Sequence, residues 1–196
     1  TEPAYGLNAL NHARAINFTL DLNGKTLSAN TGNSVFRFNI AGSGATEDVT
    51  VTIKNGTVVS GEDTWCTLMS SGISADVRAV MNLEDLVIEN NKGGDFAVKA
   101  WANGVVNAEG VTINSTYGGG FYALGGEITL DNCTVNQEGL WTAPYNSMAV
   151  AVSHGGKMTV NSGTYSAAPK AVTDGYNQGT SHGSACAQIM SSGGTL

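Results

Sequence analysis

The sequence predicts an all-β fold, a parallel β-helix of about six coils with three short strands per coil, and three observations in its 196 residues point there. One layout occurs six times, anchored on Leu22, Ile53, Leu83, Ala108, Leu130 and Val160. Two residues before the anchors stand Leu20, Val51, Met81, Val106, Ile128 and Met158, and five after them Leu27, Val58, Ile88, Ile113, Val135 and Tyr165. This alternation is that of strands with one buried face. Second, the residue two after each anchor is Gly24, Asn55, Asp85, Gly110, Asn132 or Ser162, types that accept a left-handed backbone or bond their own main chain at a bend. Third, the interval between anchors varies from 22 to 31 residues, which a coil with variable corner loops permits and a fixed-length repeat does not. At ~3.3 Å per residue the shortest interval closes a circuit of three strands and three bends, each circuit pairing with the next.

Taken in order, residues 1–17 read as an irregular or capping segment, with YGLNALNHARAI able to form a short helix, and residues 18–196 as the helix proper. The first coil supplies FTLDLNGKTLSA and then SVFRFNI, where Arg37 should face out and Phe36 and Phe38 the other way. In the second coil VTVTIKNGTVVS is followed by a third strand near Thr64 to Met69. The third, NLEDLVIENN, continues into FAVKAWAN, with Lys99 expected to point outward between Val98 and Ala100. The fourth is the tightest, from Val105 to FYAL. Long insertions follow the second strand of coils five and six, and MAVAVSHGG and SACAQIMSSGG close those coils. Gly-Gly precedes Ile128 and Met158 and again Leu196, so a seventh copy is expected to start at Leu196 with an open edge. The opening on Thr1 reads as a processed or excised piece.

With the copies aligned, LDLNGKTLS, VTIKNGTVV and ITLDNCTVN resemble the right-handed parallel β-helix of the pectate-lyase-like superfamily, and more narrowly the solenoid regions of bacterial secreted or cell-surface proteins. The resemblance implies right-handed winding, an extracellular or cell-surface location, and contact with surface polysaccharide or another protein. Its motifs specify architecture rather than activity.

Composition narrows the function classes. Sixteen acidic against nine scattered basic residues, net −7, argue against a nucleic-acid groove, and no apolar run reaches the ~20 residues that span a bilayer. Enzymes of the resembled superfamily use outward carboxylates, which must converge with one raised pKa. The adjacent pairs Glu47-Asp48, Glu62-Asp63 and Glu84-Asp85 read more simply as solvated turn formers. Glu84, Glu109 and Asp131 each follow an anchor by one, which predicts an acidic column that repels itself unless a cation such as calcium intervenes. No other cofactor is expected. His12, His154 and His182 are not spaced as metal ligands, His154 sits at a turn edge, and Arg14, Arg37 and Arg78 fall in different coils. No catalytic residue is therefore assigned. Cys133 should be a buried thiol, and Cys66 and Cys186 complete no disulfide framework. The Asn-x-Thr triplets at Asn17, Asn55, Asn114 and Asn132, and the outward Thr26, Thr57, Thr112, Thr134 and Thr164, arise from the repeat itself.

The candidate ligand-binding residues are Trp141, Tyr145 and Tyr176, aromatic rings in the two long insertions, suited to sugar rings or a protein partner. The sequence thus points to a non-enzymatic structural or adhesive segment, able to stack end to end. A β-helix polysaccharide lyase or hydrolase, or a carbohydrate-binding module, is the alternative.

Overall fold

A computed structural model describes residues 7–9, 17–29, 34–40, 44–60, 66–91, 96–116, 118–138, 148–167, 185–189 and 194–196. Its strands run β1 (Leu7–Ala9), β2 (Phe18–Asp21), β3 (Thr26–Ala29), β4 (Phe36–Asn39), β5 (Val49–Ser60), β6 (Leu68–Ser71), β7 (Ala79–Asn90), β8 (Val98–Trp101) and β9 (Gly104–Glu109). They continue with β10 (Thr112–Ser115), β11 (Phe121–Leu124), β12 (Glu127–Asp131), β13 (Cys133–Gln137), β14 (Met148–Ser153), β15 (Gly156–Val160), β16 (Gly163–Ala167), β17 (Ala185–Ile189) and β18 (Gly194–Thr195). There is no helix among the described residues.

Every ladder between named strands is parallel, and the strands fall into two curled sheets, an arrangement compatible with a β-solenoid. A seven-stranded sheet runs β1-β4-β6-β8-β11-β14-β17, and the other eleven strands form the second sheet. The two strands expected on either side of each corner belong to one larger sheet, which bends at the corners and is joined through β5 and β7. In two copies the strands fuse outright, β5 and β7 each running twelve residues through the corner. A single left-handed residue, Asn55 (φ 57°) in β5 and Asp85 (φ 50°) in β7, bends the strand without ending the ladder. Gly110 (φ 64°) and Asn132 (φ 48°) turn the next two corners. At the last corner Gly163 (φ 127°), not Ser162, takes the positive φ.

The pairing register places Ile53 on Leu83, Leu83 on Ala108, Ala108 on Leu130 and Leu130 on Val160, as the repeat predicts. The first copy departs from it: Leu20, not Leu22, pairs with Ile53, while Leu27 keeps its place on Val58. Two extra residues enter that corner, where Asn23 (φ 46°) and Gly24 (φ 73°) are both left-handed. Leu22 N–H still donates to the Lys54 carbonyl at 2.8 Å and its side chain is buried. Leu7–Ala9, expected in a helical or irregular cap, pairs as a strand with β4.

The anchor and flanking columns build one core, with Val51, Ile53, Val58, Met81, Leu83, Ile88, Val106, Ile113, Leu130 and Val135 fully buried. Val160, at the last anchor, is instead 41% exposed; among the described residues β18 pairs with Gly156 and Lys157 of β15. Within the interior runs a polar ladder. Ser60 Oγ and Thr67 Oγ1 donate to Asn90 Oδ1 (3.1 and 3.3 Å), Asn90 Nδ2 donates to Ser115 Oγ (3.1 Å), and Ser115 Oγ donates to the Gly118 carbonyl (2.7 Å). Close stacking also fixes small residues: a Cβ at Gly104 would collide with the Ser70 carbonyl.

Arg37 and the buried Phe36 and Phe38 alternate as expected. Lys99 alternates with Val98 and Ala100 as well, but it is only 2% exposed rather than solvated. Strands β6, β8, β11 and β14 are buried on both faces, and a second apolar cluster of Phe96, Tyr122, Met148 and Ala151 lies on this sheet. Lys99 Nζ sits 5.6 Å from the centroid of the Tyr122 ring, its register neighbour, where a cation–π contact offsets part of its desolvation.

Candidate functional site

The parallel register converts the repeat into rows of outward side chains across the eleven-stranded sheet. One row runs Thr19, Thr52, Asn82, Asn107, Thr129 and Thr159. Asn107 Nδ2 donates to Asn82 Oδ1 at 3.0 Å, so these amides are held in one orientation. The neighbouring row is Asp21, Lys54, Glu84, Glu109 and Asp131. The predicted acidic column of Glu84, Glu109 and Asp131 therefore exists in register. With Asn82, Asn107 and Thr129 these carboxylates line a surface groove of about 320 Å³. Asp131 at its end accepts a hydrogen bond from Ser162 Oγ at 2.5 Å. Among the described residues no three His, Cys, Asp or Glu side chains converge to hold a metal ion, so the carboxylates form a row rather than a cage.

Beyond the corner two further rows follow. Thr26, Thr57, Thr112, Thr134 and Thr164 align as expected, with Val87 between Thr57 and Thr112. Next to them Asn136 Nδ2 donates to Asn114 Oδ1 (3.0 Å) and Asn114 Nδ2 to Glu89 Oε1 (2.9 Å). The face as a whole presents hydroxyls, amides and carboxylates at fixed strand-to-strand spacing.

Three other acidic residues, Asp48, Asp21 and Asp85, have structural roles. Asp48 accepts from the Arg78 backbone N–H (2.7 Å), Nε (3.1 Å) and Nη2 (2.9 Å), tying together the residues that precede β5 and β7. These hydrogen bonds hold the Asp48 carboxyl below the usual carboxylate range and push Arg78 up. Asp21 is likewise lowered, by the Asn23 backbone N–H and the Asn55 amide. Asp85 takes the left-handed corner. Glu62 and Asp63 lie outside the described residues.

Trp141, Tyr145 and Tyr176 also lie outside the described residues, as do His12, His182 and Arg14. His154 does occupy a turn edge, exposed and left-handed (φ 52°). The sequence gives no sign of what it joins: Ser153 Oγ lies 2.9 Å from His154 Nδ1 and 2.5 Å from Tyr122 Oη, linking an exposed imidazole to the cluster that holds Lys99. This chain crosses from β14 to β11, and only the register Leu124 on Ser153 brings the two together. Cys133 is fully buried, its Sγ 3.4 Å from the Ala108 carbonyl, and burial pushes the thiol up. Cys66 is buried too, with Sγ 2.9 Å from Ser34 Oγ.

No protein-family model matches the chain, and neither the curated proteins nor the solved structures compared with it give a match.

Proposed function

We propose that the chain is a right-handed parallel β-helix of about six coils, three short strands per coil, serving as a non-enzymatic structural or adhesive segment of an extracellular or cell-surface protein. Its partner is surface polysaccharide or another protein. The carrying observation is the outward face of the eleven-stranded sheet, where register aligns rows of Thr, Asn and carboxylate side chains along the groove of Asn82, Glu84, Asn107, Glu109, Thr129 and Asp131. Such a face offers many hydroxyl-compatible contacts to an extended ligand, whose affinity then accumulates by multivalency. The test is retention on immobilised polysaccharides, comparing the unaltered chain with E84Q/E109Q/D131N and with Trp141→Ala. Loss in the triple variant supports the groove, and loss in Trp141→Ala supports the aromatic insertions. No retention of the unaltered chain on any polysaccharide or cell-surface extract removes the adhesive reading.

End-to-end association belongs to the same proposal. Val160 and Leu196 are 41% and 47% exposed at one end of the larger sheet, and Phe18, Leu20 and Leu27 are half-buried at the other. Partly exposed apolar positions on outer strands favour an added strand. Electron microscopy at high protein concentration decides it, since uniformly short rods contradict filament growth.

The aligned carboxylates favour one second reading, a polysaccharide lyase or hydrolase. Incubation with acidic and neutral glycans, with and without calcium, tests it through the appearance of new chain ends.

A further inference from the structure

The groove beside the outward amide row runs across the strands rather than along them. It passes from β7 over β9 and β12 to Asn161, just beyond β15, and so crosses four neighbouring strands, about 14 Å at the spacing of a parallel sheet. One wall is Asn82, Asn107 and Thr129, the other Glu84, Glu109 and Asp131. The walls stand two residues apart on each strand, about 6.6 Å. Between them Leu83 and Ala108 turn buried side chains into the core, so strand backbone forms the floor.

The amides of the first wall are engaged in one direction only. Asn107 Nδ2 donates to Asn82 Oδ1 (3.0 Å), and Asn82 Nδ2 donates to Thr52 Oγ1 (3.5 Å). Exposed Asn107 keeps its Oδ1 with no donor among the described residues, and each of the two amides keeps a second N–H. Each of β7, β9 and β12 therefore brings one amide or hydroxyl and one carboxylate to the groove, and the set repeats at the next strand.

From this geometry we infer that the groove holds one extended, uncharged glycan chain laid across the strands, one sugar unit per strand and about four units in all. A pyranose linked through opposite equatorial positions advances by about one strand spacing per unit, so its two edges meet the same two walls at every step. An extended peptide repeats its same-side groups every two residues, about 6.6 Å, and falls out of step with the strands. Ring hydroxyls donate to the carboxylates in charge-assisted hydrogen bonds and to Asn107 Oδ1, and accept from the remaining amide N–H groups. The carboxylate wall disfavours uronic and sulfated chains, and an axially linked glycan coils away from a straight track. This inference rests on the adhesive reading and deepens it by naming the linkage, the charge and the length of the chain bound.

The experiment titrates the whole chain with β-1,4-linked oligomers of glucose, mannose, xylose and N-acetylglucosamine, from one to six units, followed by calorimetry and by the side-chain NH2 signals of Asn82 and Asn107 in NMR. An α-1,4-linked glucose series and a cationic β-1,4-linked glucosamine tetramer are the controls. At least one uncharged β-linked series is expected to tighten by about tenfold or more up to four units and to change by less than about twofold from four to six. The α-linked tetramer is expected to bind at least about tenfold more weakly. Asn107→Ala should weaken the β-linked tetramer by about fivefold or more, and Glu109→Gln by about threefold or more, with Thr164→Ala, in the row beyond the corner, leaving it unchanged. Melting curves of the two groove variants separate this loss from a folding defect, since Glu109→Gln relieves like-charge repulsion. Affinity independent of length, equal binding of the α-linked tetramer, tighter binding of the glucosamine tetramer than of every uncharged one, unchanged binding by both groove variants, or no binding in any series each overturns the inference. Length-dependent binding without retention on immobilised polysaccharide overturns the adhesive reading and leaves the track standing. Retention without length dependence does the reverse.

Discussion

At the scale of single residues the fold depends on a few positions that would be unfavourable in an ordinary strand. Asn55, Asp85, Gly110 and Asn132 turn the chain in the left-handed region while the ladder continues on both sides. Asp85→Val introduces a β-branched residue there and should cost about 1–2 kcal/mol, measurable by chemical denaturation, whereas Asp85→Gly should cost nothing. These corners were legible because Gly, Asn and Asp recur two residues after the anchors. The burial of Lys99 was not. A lysine alternating with Val98 and Ala100 reads as solvated, and only a second apolar layer on the seven-stranded sheet reverses that. Gln137, buried with no hydrogen-bond partner for its amide among the described residues, was equally silent, since pairing is a property of its neighbours.

At the scale of elements, rows across strands carry stability, and the proposed recognition rests on them as well. Asn90→Ala removes one hydrogen-bond partner from each of Ser60, Thr67 and Ser115 at once and should cost more than about 2 kcal/mol, beyond the loss expected for an exposed Asn→Ala. On the outward side the Glu84, Glu109 and Asp131 row places like charges in register. Glu109→Gln should therefore stabilise by up to about 1 kcal/mol at low salt, with the gain fading as salt is added. A gain independent of salt contradicts the like-charge account. This row was legible from spacing alone, because parallel pairing without slip from β5 to β15 turns equal offsets from the anchor into neighbours. Where the corner changes length, spacing misleads: the two extra residues around Asn23 and Gly24 move the first anchor from Leu22 to Leu20. The fusion of paired strands into β5 and β7 was hidden for a related reason, since a corner residue that bends a strand looks in sequence like one that ends it.

At the scale of the whole molecule, pH should act from two sides. Asp48 and Asp21 have folded pKa values below their unfolded ones. Their contribution is present above about pH 4 and is lost as pH falls through the folded values. Asp48 and Arg78 are both more than a third exposed, so solvent screening keeps the Asp48 share below about 1 kcal/mol. Cys133 and Tyr165 are raised, chiefly by burial. Stability should therefore fall as pH rises above about 8.5, where the unfolded thiol begins to ionise, and further above about 10. Denaturation midpoints across pH check both limbs, and Asp48→Asn should flatten the acid one.

The claim that the aligned outward face holds a glycan without cleaving it meets its most direct test on a polysaccharide array. The same wells are read for retained protein and for released sugar fragments. Retention with no new chain ends, reduced by E84Q/E109Q/D131N, is the expected result. Released fragments, or retention that the triple variant leaves unchanged, would contradict it.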